Sequence, residues 1–263
     1  MKIYILSDME GASGVVNFAE DTVATGRNYE RGKKLLAGEV NAAVEGCLAA
    51  GATEIVVLNG HGSGGLNLED IHPKADLLTG SPLSPPFSLD ASYGGVILLA
   101  HHAMNGTAQA NLCHTYSHVS VVNMWLNGEK IGEIGLEMAL AGYFDVPVIL
   151  VTGDEAACAE AHLHMPQIEV AAVKKGISME VALCLHPEKA RALIREKAEK
   201  AVQRLKEIPP FKPKPPFEIR TEFISPGRAF AVSRLPGVEM IDPRSVAMRG
   251  DDFLELLRFR CSV

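Results

Sequence analysis

Two acidic residues directly follow the first strand-like segment of the chain. The N-terminus reads MKIYILSDMEGASG, in which residues 2–7 predict a buried strand and Asp8 and Glu10 come next with one residue between them. Alternation along an extended backbone puts both carboxylates on the same side, so both can address one centre. Their repulsion would raise at least one pKa unless a cation lay between them. A helix cap or a solvated pair is the alternative interpretation.

Histidines follow two further predicted strands. His61, in NGHGSG, comes after residues 54–58, and His101 and His102 come after residues 95–100. Glycines around His61 let the backbone approach a ligand closely, but they equally suit a tight turn. If the third strand continued, His101 and His102 would point to opposite faces, so we expect at most one of them to join the site. Each histidine taken singly also fits a role without any ligand.

Four more candidates lie further along the chain. Glu133 opens a predicted helix, where the helix dipole favours a carboxylate even without a ligand. Glu137 lies one turn later, and we expect it to be solvated or paired. His114 and His118, in LCHTYSH, are four residues apart, but their segment is predicted to pass from loop to strand, so helical spacing does not apply. One of these two histidines could be an acid, a base or a nucleophile.

Together these residues form a set of metal ligands. Carboxylates mixed with imidazoles suit Zn²⁺ or a neighbouring ion such as Mn²⁺. The set of Asp8, Glu10, His61, one histidine of the next pair and Glu133 exceeds what one tetrahedral zinc needs. Two metals about 3.5 to 4 Å apart, sharing a carboxylate and a water, use such a set naturally.

The elements that would position this set predict an α/β fold. Apolar runs alternate with segments of helical period, which is typical of a mainly parallel, doubly wound sheet flanked by helices. Ligands bind beyond the carboxyl ends of such strands, where the candidates fall. An Asn-Gly pair at 127–128 predicts a hairpin. The predicted helices span residues 29–50, 133–141, 154–163 and 188–207, and further strands lie at 75–78 and 147–152.

One composition break divides the chain. The segment PPFKPKPPF, residues 209–217, excludes a continued helix or a central strand. It predicts a catalytic metal-binding α/β domain at 1–208, a linker at 209–217 and a smaller C-terminal α+β unit at 218–263. Within that unit we expect strands near 218–224 and 239–241 and a last helix from residue 251.

Composition restricts the partners of the protein. A formal net charge of −7 over 263 residues provides no basic face for nucleic acid or for a membrane surface. No apolar run approaches the roughly 20 residues that cross a bilayer, and the N-terminus lacks a signal-peptide pattern, so we expect a cytoplasmic protein. The five cysteines form no CxxC pair, which indicates reduced thiols.

Several blocks in order resemble the DppA-type D-aminopeptidases, a family of dinuclear zinc peptidases. The similarity runs over nearly the whole chain and is densest in residues 1–155. It rests on SDMEGASG, RNYERGKKL, NGHGS, IHPKADLLTG, HHA, CHT, NGEKIGEIGL and AGYFDVPVILVTGD.

The resemblance implies roles for individual residues. The positions that match the family's metal ligands are Asp8, Glu10, His61, His102 and Glu133. Asp8 would bridge two zinc ions, for which Mn²⁺ or Co²⁺ are possible substitutes. His102 is preferred over His101 because it directly precedes the matching alanine. His114 matches the catalytic histidine, as a nucleophile or as a general acid/base. The family also implies a homo-oligomer, a decamer of stacked pentamers.

The implied reaction is removal of the N-terminal residue from a short peptide such as D-Ala-D-Ala by zinc-activated water assisted by His114. Preference for D- over L-residues stays open, because pocket shape decides it. Departures from the family pattern include NGHGS in place of a more polar loop, His101 where an aromatic residue is common, and Met104 where a basic residue is usual. The alternatives are a dinuclear phosphoesterase and a non-catalytic oligomeric scaffold braced by metals.

Overall fold

The computed structural model describes residues 1–62 and 64–260, with the backbone alone for residues 259 and 260. Cys261 lies outside these residues, and the four described cysteines are free thiols. The described strands form two sheets. The larger sheet contains β1 (Lys2–Ser7), β2 (Glu54–Asn59), β3 (Asp76–Leu78), β4 (Gly95–His101), β7 (Val148–Asp154), β8 (Glu169–Ser178) and β9 (Val181–Cys184). The smaller sheet contains β5 (Val121–Leu126), β6 (Glu129–Lys130), β10 (Phe217–Phe223), β11 (Val238–Asp242) and β12 (Ser245–Gly250).

The larger sheet has the order β3-β2-β1-β4-β7-β8-β9. Its neighbouring strands are parallel except β8 and β9. This confirms the predicted mainly parallel α/β sheet. Strands β8 and β9 are not evident from the apolar pattern, because charged Lys174 and Lys175 occupy the middle of β8.

The smaller sheet is antiparallel, in the order β11-β12-β10-β5-β6. The predicted hairpin is confirmed: Asn127 and Gly128 join β5 to β6 with φ of 52° and 85°, the left-handed values that a tight hairpin turn needs. Because β5 pairs with β10, strands from before and after the segment 209–217 share one sheet. The division of the chain at that segment stays a prediction.

Six α-helices complete the described chain. They are α1 (Tyr29–Ala49), α2 (Glu133–Tyr143), α3 (Glu155–His164), α4 (Pro187–Gln203), α5 (Pro226–Val232) and α6 (Phe253–Arg260). The first four match predicted helices, although α4 ends four residues early, where a short 3₁₀ turn at Leu205–Glu207 follows. The sequence pattern does not predict α5 or β12.

The core lies on both faces of the larger sheet. Along β1, Ile3 and Ile5 pack into one apolar cluster with α1 and α4, whereas Tyr4 and Leu6 pack into another with α2, α6 and the smaller sheet. This is the alternation that an extended strand imposes. Among the described residues, no helix has the length and apolar character that a bilayer crossing requires.

Candidate metal centre

The carboxyl ends of three neighbouring strands meet at one edge of the larger sheet. β1 lies between β2 and β4, and each ends beside predicted ligands. Asp8 and Glu10 follow β1, His61 follows β2, and His102 follows β4. Helix α2 adds Glu133 from its first residue. The structure therefore brings together side chains that are far apart in the sequence.

The first group of possible metal ligands contains Asp8, Glu10 and His61. The Nδ1 of His61 lies 3.3 Å from Oδ1 of Asp8 and 3.1 Å from Oε2 of Glu10. One ligand atom from each residue falls within 4.8 Å of the others. These are the separations expected of side chains that surround one cation.

The second group contains His102, His114 and Glu133. The Nε2 of His102 lies 3.2 Å from Oε1 of Glu133 and 3.3 Å from Oδ2 of Asp8. The Nε2 of His114 lies 3.9 Å from the same Glu133 oxygen. The two oxygens of Asp8 thus face different groups, Oδ1 towards His61 and Oδ2 towards His102. Asp8 therefore lies beside both groups.

The hydrogen bonds of the three imidazoles fit a metal. Each ring donates from its outer nitrogen to a backbone carbonyl: Nε2 of His61 to Thr22 at 2.7 Å, Nδ1 of His102 to Ala103 at 3.0 Å and Nδ1 of His114 to Leu112 at 2.9 Å. The inner nitrogen of a neutral ring then directs a lone pair at the carboxylates. A cation between this lone pair and the carboxylate oxygens removes the repulsion between them. An outer hydrogen bond of this kind typically orients a metal-bound histidine.

Protonation equilibria in the first group reflect the same crowding of charge. Burial, together with the neighbouring Glu10 carboxylate, raises the pKa of Asp8 to about 6. Burial disfavours the charged form of Glu10 as well, but the His61 imidazole outweighs it and holds the pKa of Glu10 well below its usual range. Against the effect of burial, Glu10 and Asp8 hold the pKa of His61 well above its usual value. Without a metal, a proton on His61 offsets the carboxylates.

The second group has a similar balance. Burial would lower the pKa of His102, but Glu133 and Asp8 hold it well above its usual value. Burial would raise the pKa of Glu133, but the interaction with His102 is stronger and lowers it to about 2. The pKa of His114 is not raised in this way, because burial and the nearby His102 lower it to about 4. His114 is therefore neutral at physiological pH, with Nε2 free to accept a proton.

Both histidines at the end of β4 lie beside Asp8, but of the two only His102 belongs to a ligand group among the described residues, in line with the expectation that at most one of them joins the site. His102 joins the second group, and Nδ1 of His101 lies 4.0 Å from Oδ2 of Asp8. Both approach Asp8 because Ala100, with φ of 58°, breaks the strand alternation. A Cβ on Gly11 would lie 2.2 Å from the His101 carbonyl oxygen, so this close approach requires glycine.

His101 and Glu137 form a buried pair behind the ligands. Nε2 of His101 lies 2.7 Å from Oε2 of Glu137, and both residues are less than a tenth exposed. Glu137 is therefore paired, as expected, and it is not solvated. Burial and His102 lower the pKa of His101 to about 3, so the His101 ring is neutral and donates to the carboxylate.

The loop that carries His114 is held by aromatic contacts. The His114 ring stacks on His102 with centroids 3.8 Å apart, and Phe18 meets its edge at 5.3 Å. Exposed His118 stacks on Phe18 at 4.3 Å and lies outside both ligand groups. As the sequence predicts, this segment is not helical, so His114 reaches the site from a loop.

A buried lysine that the sequence analysis does not single out connects the segments of the site. Lys174 is 3% exposed, and its ammonium group donates to the backbone carbonyls of Glu10 and Val15 and to Oδ1 of Asn111. Burial lowers the pKa of Lys174 to about 8. Three acceptors satisfy the three donors of an ammonium group, so Lys174 ties the loop of Glu10 to the loop that leads to His114.

A cavity of about 510 Å³ opens onto the centre. His61 and Glu133 line it on the ligand side, and Glu137 lies beside them. The remaining wall combines glycines and the polar residues Asn59, Thr79 and Ser81 with larger side chains, namely Leu6, Leu58, Leu83, Phe87 and Tyr116. The described lining residues include no lysine and no arginine. The volume is in the range of small-molecule sites, about 300 to 1,000 Å³.

A fold with paired metal-ligand groups at the carboxyl edge of its sheet, beside a cavity, defines a candidate metal-dependent hydrolase. A family model described as Peptidase_M55, D-aminopeptidase, matches residues 1–261. A D-aminopeptidase of Bacillus subtilis (strain 168) is 36% identical over 261 residues, covering 97% of this chain and 93% of that protein. The solved structure of the Zn-dependent D-aminopeptidase DppA from Bacillus subtilis, a self-compartmentalizing protease, is similar with a TM-score of 0.91. That match has 32% identity and covers 100% of this chain and 95% of the other.

The chain belongs to the Peptidase_M55 family of D-aminopeptidases. The predicted family and the prediction of a hydrolase are thereby confirmed.

Proposed function

We propose that this protein is a zinc-dependent aminopeptidase that removes the N-terminal residue of short peptides, with D-amino-acid peptides such as D-Ala-D-Ala as substrates. The 36% identity to a D-aminopeptidase supports the activity, and the Zn-dependence of the similar solved protein supports the metal. The observation that carries the proposal is the arrangement of two ligand groups about Asp8, beside the cavity that His61 and Glu133 line.

The proposed ligands hold two zinc ions in each subunit. Glu10 and His61 would complete one site, His102 and Glu133 the other, and Asp8 would contribute to both. Buried Oε2 of Glu10 faces Nδ1 of His61 at 3.1 Å and, among the described residues, meets the geometry of no hydrogen bond, which supports an ion there. Mn²⁺ or Co²⁺ would substitute in the same mixed set of oxygen and nitrogen ligands.

His114 is the proposed catalytic histidine. Bound zinc supplies Lewis-acid chemistry that activates water and polarises a carbonyl group. The hydrogen bond from Nδ1 of His114 to the Leu112 carbonyl leaves Nε2 as the basic nitrogen. His114 would take a proton at Nε2 and deliver it to the leaving amine. Direct attack by His114 would instead form an acyl-imidazole, which rapid-quench trapping distinguishes.

The charge of the cavity favours peptides over phosphate esters. Glu137 adds a carboxylate beside the proposed zinc ligands, and a free N-terminal ammonium group is a complementary partner. A phosphate clamp needs arginine or lysine, and the described lining contains neither. This supports the aminopeptidase over the phosphoesterase alternative.

Metal analysis combined with turnover tests the proposal. We expect two zinc ions per subunit, hydrolysis of D-Ala-D-Ala in preference to L-Ala-L-Ala, and no turnover of nitrophenyl phosphate. The variant His114→Ala should keep its zinc and lose hydrolysis, whereas His162→Ala, on the exposed side of α3, should keep both. Zinc-loaded protein without peptide hydrolysis would favour the scaffold, and phosphate-ester turnover alone would favour the phosphoesterase.

We also propose a cytoplasmic homo-oligomer, a decamer of stacked pentamers. The description of the similar solved protein as a self-compartmentalizing protease supports an assembly with enclosed sites. Light scattering coupled to size-exclusion chromatography measures the number of subunits. A monomer at micromolar concentration would contradict the proposed assembly without affecting the proposed reaction.

A further inference from the structure

A buried glutamate of α3 lies where the segments of His102 and Glu133 meet. Glu160 is 3% exposed, and its Oε2 accepts a hydrogen bond from the backbone amide of Met104 at 2.7 Å. Met104 follows His102 by two residues. On the other side, a Cβ on Gly132, the residue before Glu133, would lie 2.4 Å from Oε1 of Glu160. One carboxyl group therefore packs against the backbone beside both His102 and Glu133.

The start of α2 is packed closely at this contact. Gly132 is the N-cap residue of α2, and its φ of −102° is one that any residue adopts. Space, and not backbone conformation, therefore requires glycine there, because a Cβ would also lie 2.7 Å from Cβ of Met104. The distance between the segment after His102 and the helix that begins with Glu133 is thus set at a contact of which Glu160 forms one side.

The segment after His102 also supports His114. The carbonyl of Ala103 accepts from Nδ1 of His102 at 3.0 Å and from the backbone amide of His114 at 3.2 Å. The next amide along the chain, that of Met104, has Glu160 as its acceptor. Displacement of Met104 would therefore reach both histidines through Ala103.

Stability alone does not explain a carboxyl group at this position. Oε1 of Glu160 is buried and, within the part of the chain that the structure describes, makes no hydrogen bond. A buried polar atom without a partner costs free energy, and a leucine of similar size would avoid that cost. Glu160 also belongs to neither ligand group. What its carboxyl group provides is a fixed acceptor between two ligand-bearing segments.

We propose that Glu160 is a positioning residue for the second zinc ion, because it holds the segment after His102 against the start of α2. In this arrangement Nε2 of His102 and Oε1 of Glu133 lie 3.2 Å apart, close enough to share an ion. The inference rests on the proposed zinc sites. Replacement of a residue that supports metal ligands from behind typically changes metal affinity by about 10- to 100-fold.

Zinc titration against a competing chelator tests the role of Glu160. Glu160→Leu fills the same space but cannot accept from the Met104 amide. We expect the affinity of one zinc ion to fall by about 10- to 100-fold and that of the other to stay unchanged. Glu160→Gln keeps an acceptor oxygen and should bind both ions as the unaltered protein does. Two ions of full affinity in Glu160→Leu would overturn the inference.

Combination with a variant of the first group identifies the affected site. Glu10→Gln alone should retain one ion, at the second site. Adding Glu160→Leu should weaken the binding of that remaining ion by the same factor, about 10- to 100-fold. If the remaining ion kept its affinity, Glu160 would act on the first site and the inference would be wrong.

Hydrogen exchange of zinc-free protein gives a readout that does not depend on the metal. The amides around Met104 should exchange faster in Glu160→Leu than in the unaltered protein or in Glu160→Gln. Glu160→Asp, which is one methylene group shorter, is a milder replacement and should show both effects to a smaller extent. Unchanged exchange in Glu160→Leu and Glu160→Asp would contradict the positioning role.

Ile194→Ala controls for a general loss of stability. Ile194 is fully buried on α4, in the apolar cluster on the other face of the larger sheet from α2. The cavity that this substitution leaves should lower stability without changing either zinc affinity. Equal zinc loss in Ile194→Ala and Glu160→Leu would attribute the effect to unfolding and refute the inference. If the unaltered protein bound no zinc at all, the proposed zinc sites would fail together with it.

Discussion

The ammonium group of Lys174 lies 2.7 Å from Oδ1 of Asn111, a residue three positions before His114. The same ammonium group holds the carbonyl of Glu10. We expect Lys174→Met to leave three buried acceptors without donors, because methionine fills the space but cannot donate. Loss of such a buried, hydrogen-bonded charge costs about 3 kcal/mol or more of unfolding free energy.

Activity and stability distinguish the role of Lys174 further. Because both connected loops carry site residues, kcat should fall at a temperature where Lys174→Met remains folded. Chemical denaturation and steady-state kinetics measure the two effects. Lys175→Met is the matched control, because this neighbour is half exposed and its ion pair with Glu155, at 3.6 Å, lies at the surface. Equal effects in both variants would refute the positioning role of Lys174.

The shared position of Asp8 predicts an asymmetry in metal content. Asp8→Asn should reduce zinc at both sites, whereas Glu10→Gln should leave about one ion per subunit, because Glu10 belongs to the first group alone. Mass spectrometry of metals after dialysis measures the content. Asp145→Asn serves as the control, since Asp145 is exposed and asparagine tolerates its φ of 60°. Equal zinc loss in Asp8→Asn and Glu10→Gln would show that Asp8 is no bridge.

Glu160 of α3 predicts how stability depends on pH. Its side chain is 3% exposed, accepts from the Met104 amide at 2.7 Å, and burial raises its pKa to about 7. In the unfolded chain the pKa of a glutamate is about 4.3. Between that pH and about 7, the folded state therefore keeps a proton on Glu160 that the unfolded state releases. Stability therefore falls as pH rises from about 4.5 to 7, by up to about 3 kcal/mol from this residue.

The variant Glu160→Gln should remove that part of the pH dependence. Its unfolding free energy should match that of the unaltered protein at pH 5 and exceed it at pH 8. Urea denaturation of zinc-saturated samples at both pH values measures the difference. Glu155→Gln, an exposed position on the same helix, should follow the unaltered protein. Parallel pH profiles for Glu160→Gln and the unaltered protein would disprove the prediction.

Gly11 permits the contact between the first loop and the end of β4. In Gly11→Ala, the new Cβ would lie 2.2 Å from the His101 carbonyl oxygen, so the loop of Glu10 must move. We expect a loss of about 3 kcal/mol in unfolding free energy and weaker zinc binding, because such overpacking displaces backbone. Gly227→Ala on α5 meets nothing within 4 Å and should be stable. Thermal unfolding with and without zinc compares the two, and full zinc affinity in Gly11→Ala would contradict this reasoning.

The sequence predicts the inner strands well because each is an apolar run bounded by turn residues. The pattern fails at β8, where Lys174 is buried: its three acceptors come from distant segments, and no local pattern reveals them. It also fails at β12, whose pairing with β10 depends on the tertiary fold.

The site is predictable to the extent that topology dictates it. Parallel strands that are neighbours in a sheet must bring Asp8, His61 and His102 to one edge. The direction of His101 is not predictable, because nothing marks Ala100 as a left-handed residue in the way that glycine would. The place of His114 beside Glu133 follows from a loop path, for which family resemblance is the only sequence signal.

The pairing of β5 with β10 has a consequence during synthesis on the ribosome. Asn123 and Glu222, which are hydrogen-bonded between these strands, are 99 residues apart in the chain. The β5–β6 hairpin leads directly into the helix that begins with Glu133. Until the last strands emerge, the hairpin has an unpaired edge exposed to other nascent chains. Acquisition of the complete centre should therefore be a late, post-translational event, and proteins truncated before residue 217 should aggregate.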